Sequence, residues 1–161
     1  MDKLFYLIAI VFMFCTCWVL QEENQLWDQQ RQILKAANNK AVHASLFPVE
    51  SLNAGTILIP ENAAFQAYKE VLEENLGLDE MLQPKPGSPV LSQIRILHFE
   101  VIDEHSGRQF PFLYENSEYH LAKYLRGPAV VAVIEMDFPR IQTFQFTIRV
   151  PSIYEYARAD I

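Results

Sequence analysis

The sequence predicts an α+β protein, in which a long N-terminal membrane helix continues into an amphipathic helix packed on a small antiparallel sheet. Three observations carry that prediction. Leu4 to Leu20, LFYLIAIVFMFCTCWVL, is an apolar run without charge, Gly or Pro. Gln21 to Phe47 continues without a helix breaker, its apolar or small residues falling at three-and-four spacing. Beyond Pro89 the apolar period shortens to that of strands. The chain of 161 residues divides accordingly into a transmembrane anchor (1–20), an extended amphipathic helix (21–47) and an extracytoplasmic α+β domain (48–161).

At a rise of about 1.5 Å per residue the apolar run makes about 26 Å of helix, enough for the hydrocarbon core of a bilayer. Tyr6 and Trp18 stand near its ends, where interfacial aromatics gather. A secretory signal would share the short start Met1-Asp2-Lys3. Trp18-Val19-Leu20-Gln21-Glu22 offers no small-residue cleavage site, so a retained single span is expected. Lys3 precedes the span while Glu22, Glu23 and Asp28 come after it, which puts the N-terminus in the cytoplasm and the remainder outside. The localisation expected is the cell membrane, single-pass.

Both cysteines, Cys15 and Cys17, lie inside the span, so no disulfide holds the ectodomain. Acidic and basic residues balance over positions 1–46, and the net charge of −7 therefore belongs to residues 47–161. An acidic ectodomain argues against nucleic acid as a partner and against electrostatic docking on anionic lipid.

After the anchor, Leu26, Ile33, Leu34, Ala37, Ala41 and Ala44 share one helix face, with Glu23, Arg31, Gln32, Lys35 and Asn39 opposite. Phe47-Pro48 ends the helix, because the residue before proline is pushed out of the α region. Small residues let two backbones approach closely. Leu26, Ile33, Ala37, Ala41 and Ala44 are therefore the candidate assembly face, with a second reading in which the alanines lie under the protein's own sheet.

Thr56-Ile57-Leu58-Ile59, between Gly55 and Pro60, reads as a strand. Glu61 to Asn75 reads as a second amphipathic helix burying Phe65, Tyr68, Leu72 and Leu76, with Gly77 as its C′ residue. Strands are expected at Ile94–Ile102, Gln109–Tyr114, Ala129–Met136 and Thr143–Val150. In the last, Phe144, Phe146, Ile148 and Val150 take the buried face, and Gln145, Thr147 and Arg149 the other. Glu115 to Arg126 reads as a loop with one helical turn. Four strands joined by short turns imply one antiparallel sheet. Phe99, Phe110, Phe112, Phe144 and Phe146 are expected in its core, with Tyr154 and Tyr156 in a tail packed upon it.

No catalytic signature accompanies this architecture. His43, His98, His105 and His120 have no second His or Cys at ligand spacing, and no Ser or Cys stands in a nucleophile motif. Glu135 and Asp137 share a strand face, as edge charges and not as an acid/base couple. A non-enzymatic protein is expected, with no cofactor, metal or small-molecule substrate.

The anchor followed by LKAANNKAVHASL resembles the TadE-like minor pilins and pseudopilins of tight-adherence (type IV-like) pilus systems. GTILIPENAAFQAYKEVLEENLGLDEML and PAVVAVIEMDFPRI look like the ectodomain of pilus-locus proteins from Gram-positive bacteria. The resemblance implies a pilin-like fold, partners among other pilin-like or assembly-platform proteins, and a role in assembling a surface pilus or secretion apparatus. One departure concerns processing: pilins that enter filaments present a peptidase site and a glutamate near the start of the apolar helix. Here Asp2 precedes the apolar run, so a subunit that stays in the membrane is expected. The other class in view is a bitopic envelope protein whose ectodomain binds a protein of a sporulation or secretion complex.

Overall fold

With neither Gly nor Pro before Pro48, nothing interrupts the first helix, and the apolar run and its amphipathic extension form one element, α1 (Asp2–Ala44). The computed structural model describes residues 2–47, 50–51, 57–139 and 146–156. Forty-three residues make a helix of about 65 Å. It ends three residues before Phe47, where Leu46 and Phe47 tighten into three-residue turns onto the carbonyls of His43 and Ala44 (3.2 and 3.1 Å).

The two halves of α1 behave oppositely. Every side chain from Lys3 to Glu22 is exposed, and this part is long and apolar enough to cross a membrane. From Gln30 onward one stripe is buried: Gln30, Leu34, Ala37, Asn38, Ala41, Val42, Ser45 and Leu46. That stripe packs against α2 (Glu61–Leu76) and the main sheet.

In α2 the buried positions are Ala64, Tyr68, Leu72 and Leu76, while Phe65 is half-buried. Gly77 ends the helix in the left-handed region (φ 61°), where a side chain would be strained, and the Leu78 N–H then reaches the Glu73 carbonyl at 2.9 Å.

The strands are β1 (Glu50–Ser51), β2 (Ile57–Leu58), β3 (Ile94–Ile102), β4 (Phe112–Asn116), β5 (Leu121–Leu125), β6 (Ala129–Phe138) and β7 (Phe146–Glu155). They do not form one sheet. The main sheet is antiparallel in the order β3-β6-β7, and β1-β2 and β4-β5 are separate antiparallel pairs. The segment expected as a helical loop, Glu115–Arg126, is instead most of a hairpin. Asn116 Oδ1 accepts from the N–H groups of Glu118 and Tyr119 (3.1 and 3.3 Å), and His120 at φ 53° turns the chain back.

That hairpin lies on the face of the main sheet away from the helices. Tyr114 and Leu125 meet Ile102, Ala129 and Val131 in a second small core, with Phe110, Phe112, Leu121 and Ile153 against it. This accounts for the near-continuous apolar run of β6: Val130, Ala132, Ile134, Met136 and Phe138 serve the main core, and Ala129 and Val131 lie under the hairpin. A register shift between Ile96 and His98 in β3 keeps Ile94 and Ile96 on the helix side and then brings Phe99 and Val101 to that side too.

In β7 the expected phase holds at Ile148 and Val150, which are buried, and at Thr147 and Arg149, which are exposed. Phe146 departs from it at 42 % exposure, because it opens an edge strand opposite Phe138, the last residue of β6. Residues 143–145, Phe144 among them, fall outside the described residues, as does Thr56. Tyr154 is part of β7 and 42 % exposed, and Tyr156 is half-buried against the main core, so the expected tail is mostly strand. Pro151 sits mid-strand, which an edge position tolerates because one side of the strand has no ladder to supply.

Candidate functional site

Close approach of α1 to the sheet requires small side chains, and the alanines supply them. Ala37 and Ala41 are buried in the main core together with Tyr68, Leu72, Ala132 and Val150. Of the proposed assembly face, Leu26 is exposed and Ile33 and Ala44 are half-buried. The five residues are therefore not one free surface. The protein's own α2 and sheet cover its centre, since a methyl side chain leaves room for a neighbouring backbone.

A polar junction sits within that packing. Asn38, fully buried, donates from Nδ2 to the Val150 carbonyl at 2.9 Å and lies 3.4 Å from the Ala132 carbonyl. Its Oδ1 accepts the Tyr68 hydroxyl at 2.8 Å. One side chain thus ties α1 to α2, β6 and β7. Burial pushes the Tyr68 hydroxyl far above its usual range, so it acts only as a donor. Sequence reasoning passed over Asn38. The available signal was a polar residue four after Leu34 and three before Ala41, inside the apolar stripe.

The opposite face of the sheet carries charge. Arg95, Glu135 and Arg149 form one cross-strand row. Arg95 bonds Glu135 at 2.9 Å and grips Asp137 with both terminal nitrogens (2.6 and 2.7 Å), and Arg149 reaches the other Glu135 oxygen at 2.8 Å. The Arg95 hydrogen bond, with that of Arg149, holds the Glu135 carboxyl below its ordinary range against the opposing effect of burial. Arg95 does the same for Asp137. Two ionised carboxylates with their lone pairs occupied by guanidinium are poorly placed to take up a proton near neutrality.

Nearer the hairpin, Glu100 Oε2 accepts the Tyr114 hydroxyl at 2.8 Å and lies 3.2 Å from His98 Nε2, with Arg108 at 3.6 Å from the other oxygen. Burial, then the bond to Glu100, pushes the Tyr114 hydroxyl up to about 12. This cluster fastens the hairpin to β3. Asp103 similarly fastens the turn after β3, accepting from the N–H groups of His105 and Ser106 (3.0 and 3.1 Å) and from that of Ile59 at 3.3 Å.

His43 packs edge-on with Tyr154 (4.6 Å between centroids) and with Phe47 (5.2 Å). Among the described residues no group of three or more His, Cys, Asp or Glu side chains could hold a metal ion. Beyond α1, some large apolar side chains are also exposed. Leu113 and Tyr124 are cross-strand partners exposed on the hairpin, and Met81 and Leu91 are exposed in the connection between α2 and β3. Comparison of the chain with family models, curated proteins and solved structures found no match.

Proposed function

We propose that this protein is a non-enzymatic, membrane-anchored subunit of pilin-like build that takes part in assembling a bacterial surface pilus or secretion apparatus. One observation carries the reading. A single unbroken helix, α1, exposes an apolar half that buries nothing and uses its second half as the spine of a small antiparallel sheet. An apolar surface of that extent is not sustained in water, and a bilayer is the environment that matches its length. On this reading the protein spans the membrane once, with its N-terminus in the cytoplasm and its ectodomain outside.

The burial of Ala37 and Ala41 favours giving weight to the second reading, a bitopic envelope protein whose ectodomain binds a partner. Recognition would then use an exposed site such as the Leu113–Tyr124 pair, not α1. Photo-crosslinking in native cells from Phe12 and from Tyr124 separates the two. Crosslinks from Phe12 to another long-helix subunit or a polytopic platform support assembly through the anchor. Crosslinks confined to Tyr124 and one envelope protein support the second reading. Gene loss that leaves both filaments and secretion intact overturns the first.

A further inference from the structure

The contacts of α1 fix which end of the ectodomain faces the anchor. Passing outward along the helix, Gln30 bonds the Pro89 carbonyl (2.9 Å), Asn38 the Val150 carbonyl (2.9 Å), Asn39 accepts from Ser152 (2.8 Å) and His43 meets Tyr154. β7 therefore runs away from the anchor and β6 toward it. Phe146 lies six residues of strand, about 20 Å, back from Ser152. The start of β3, the end of β6, the start of β7 and the connection through Pro89 all gather at the anchor-facing end.

That end displays apolar side chains on a built loop. Met81 is 75 % exposed and Leu91 45 %, although each adjoins a buried residue, Leu82 and Val90. Asp79 Oδ1 accepts from the N–H groups of Met81 and Gln83 (2.9 and 2.8 Å), and Gln93 Nε2 donates to the Met81 carbonyl at 3.1 Å. The Ile94 N–H bonds the Leu82 carbonyl at 3.0 Å. Hydrogen bonds thus hold the loop in a shape that leaves Met81 and Leu91 outside the core.

The height agrees with a bilayer surface. A hydrocarbon core of about 30 Å takes about 20 helical residues, Lys3 to Glu22, and the headgroup layer adds about four more. Leu26, 40 % exposed, then stands at the outer edge of the headgroups, and Trp27 already packs against the main core. We propose that the anchor-facing end of the ectodomain rests on the membrane, with Met81 and Leu91 entering the headgroup layer beside Leu26. This rests on the reading of α1 as membrane-spanning.

Asp79, Glu80 and Lys85 are the charged residues of that loop, so attraction to anionic lipid is not the cause of the contact. Shallow apolar insertion suffices, because the anchor already holds the loop at the surface and makes the second contact intramolecular.

The test uses the full chain with Cys15 and Cys17 replaced by serine and one cysteine placed at Met81, Leu91, Tyr124 or Phe12. Each is labelled with an environment-sensitive fluorophore in phosphatidylcholine vesicles carrying nitroxide lipids. Headgroup nitroxide quenches the probes at Met81 and Leu91 and leaves Tyr124 bright, while acyl-chain nitroxide quenches Phe12. An unquenched Phe12 probe sinks the spanning reading itself. A quenched Phe12 with Met81 and Leu91 no dimmer than Tyr124 overturns the seat and leaves the span standing. Blue-shifted but unquenched probes at Met81 and Leu91 also overturn it, assigning that end to contact with protein, such as a second copy.

Discussion

Asn38→Ala removes a buried side chain that joins both helices to the sheet. Three buried groups lose their partner or its neighbourhood: the Val150 carbonyl (2.9 Å), the Tyr68 hydroxyl (2.8 Å) and, more distantly, the Ala132 carbonyl (3.4 Å). Each buried group left unpaired costs about 1–3 kcal/mol, and the vacated amide leaves a small cavity. Counting the two short bonds fully and the long one hardly at all, the expected loss is about 3–5 kcal/mol. Tyr68→Phe keeps the ring and its packing, strands only Asn38 Oδ1, and costs about 1–2 kcal/mol. The double variant loses less than the sum by about 1 kcal/mol, because the bond between the two is removed only once. Asn39→Ala, exposed and bonded to Ser152, is the control and loses under about 1 kcal/mol. Urea unfolding of the full chain in detergent micelles, followed by near-ultraviolet circular dichroism, measures all four. An Asn38→Ala loss no larger than that of Asn39→Ala, or strict additivity with Tyr68→Phe, refutes the junction.

The same unfolding assay reads five further variants. Ala41→Leu, at a fully buried position between helix and sheet, overpacks the core and costs about 1–3 kcal/mol; an unchanged midpoint would return the alanine face to the surface. Ile134→Ala costs about 2–5 kcal/mol and Phe146→Ala clearly less, since Ile134 is fully buried and Phe146 is not; equal losses would contradict the edge placement of Phe146. Gly77→Ala costs about 1–2 kcal/mol from left-handed backbone strain alone, because its new Cβ would meet Ser88 Cα at an ordinary 3.6 Å. Glu135 has a folded-state pKa held below its ordinary value, so the stability it contributes is complete above the ordinary carboxylate range and is lost as pH falls through and below it. Glu135→Gln therefore flattens the acid side of the stability profile, and a profile unchanged from the parent would show that Arg95 and Arg149 do not hold the charge.

Local chemistry made several elements legible in the sequence alone. The uncharged run from Leu4, the lack of breakers to Pro48, the helical stripe through Tyr68 and Leu72 with Gly77 after it, and the strand Ile94–Ile102 all depend on neighbours within a few positions. Periodicity says that a face is apolar but not what covers it. Whether Ala37 and Ala41 meet another protein or their own sheet was decided only when α2, β6 and β7 folded onto α1. The division of the strands into a three-stranded sheet and a separate hairpin has the same origin. Leu121–Leu125 is too short to declare itself, and becomes a strand because Asn116 and His120 turn it onto β4 and because Leu125 and Tyr114 find Ile102 and Val131 beneath them. Asn38 shows the limit most sharply: a lone polar residue in an apolar stripe reads as a flaw, and it becomes a junction when Tyr68, thirty residues away, and Val150, one hundred and twelve away, arrive within hydrogen-bonding distance.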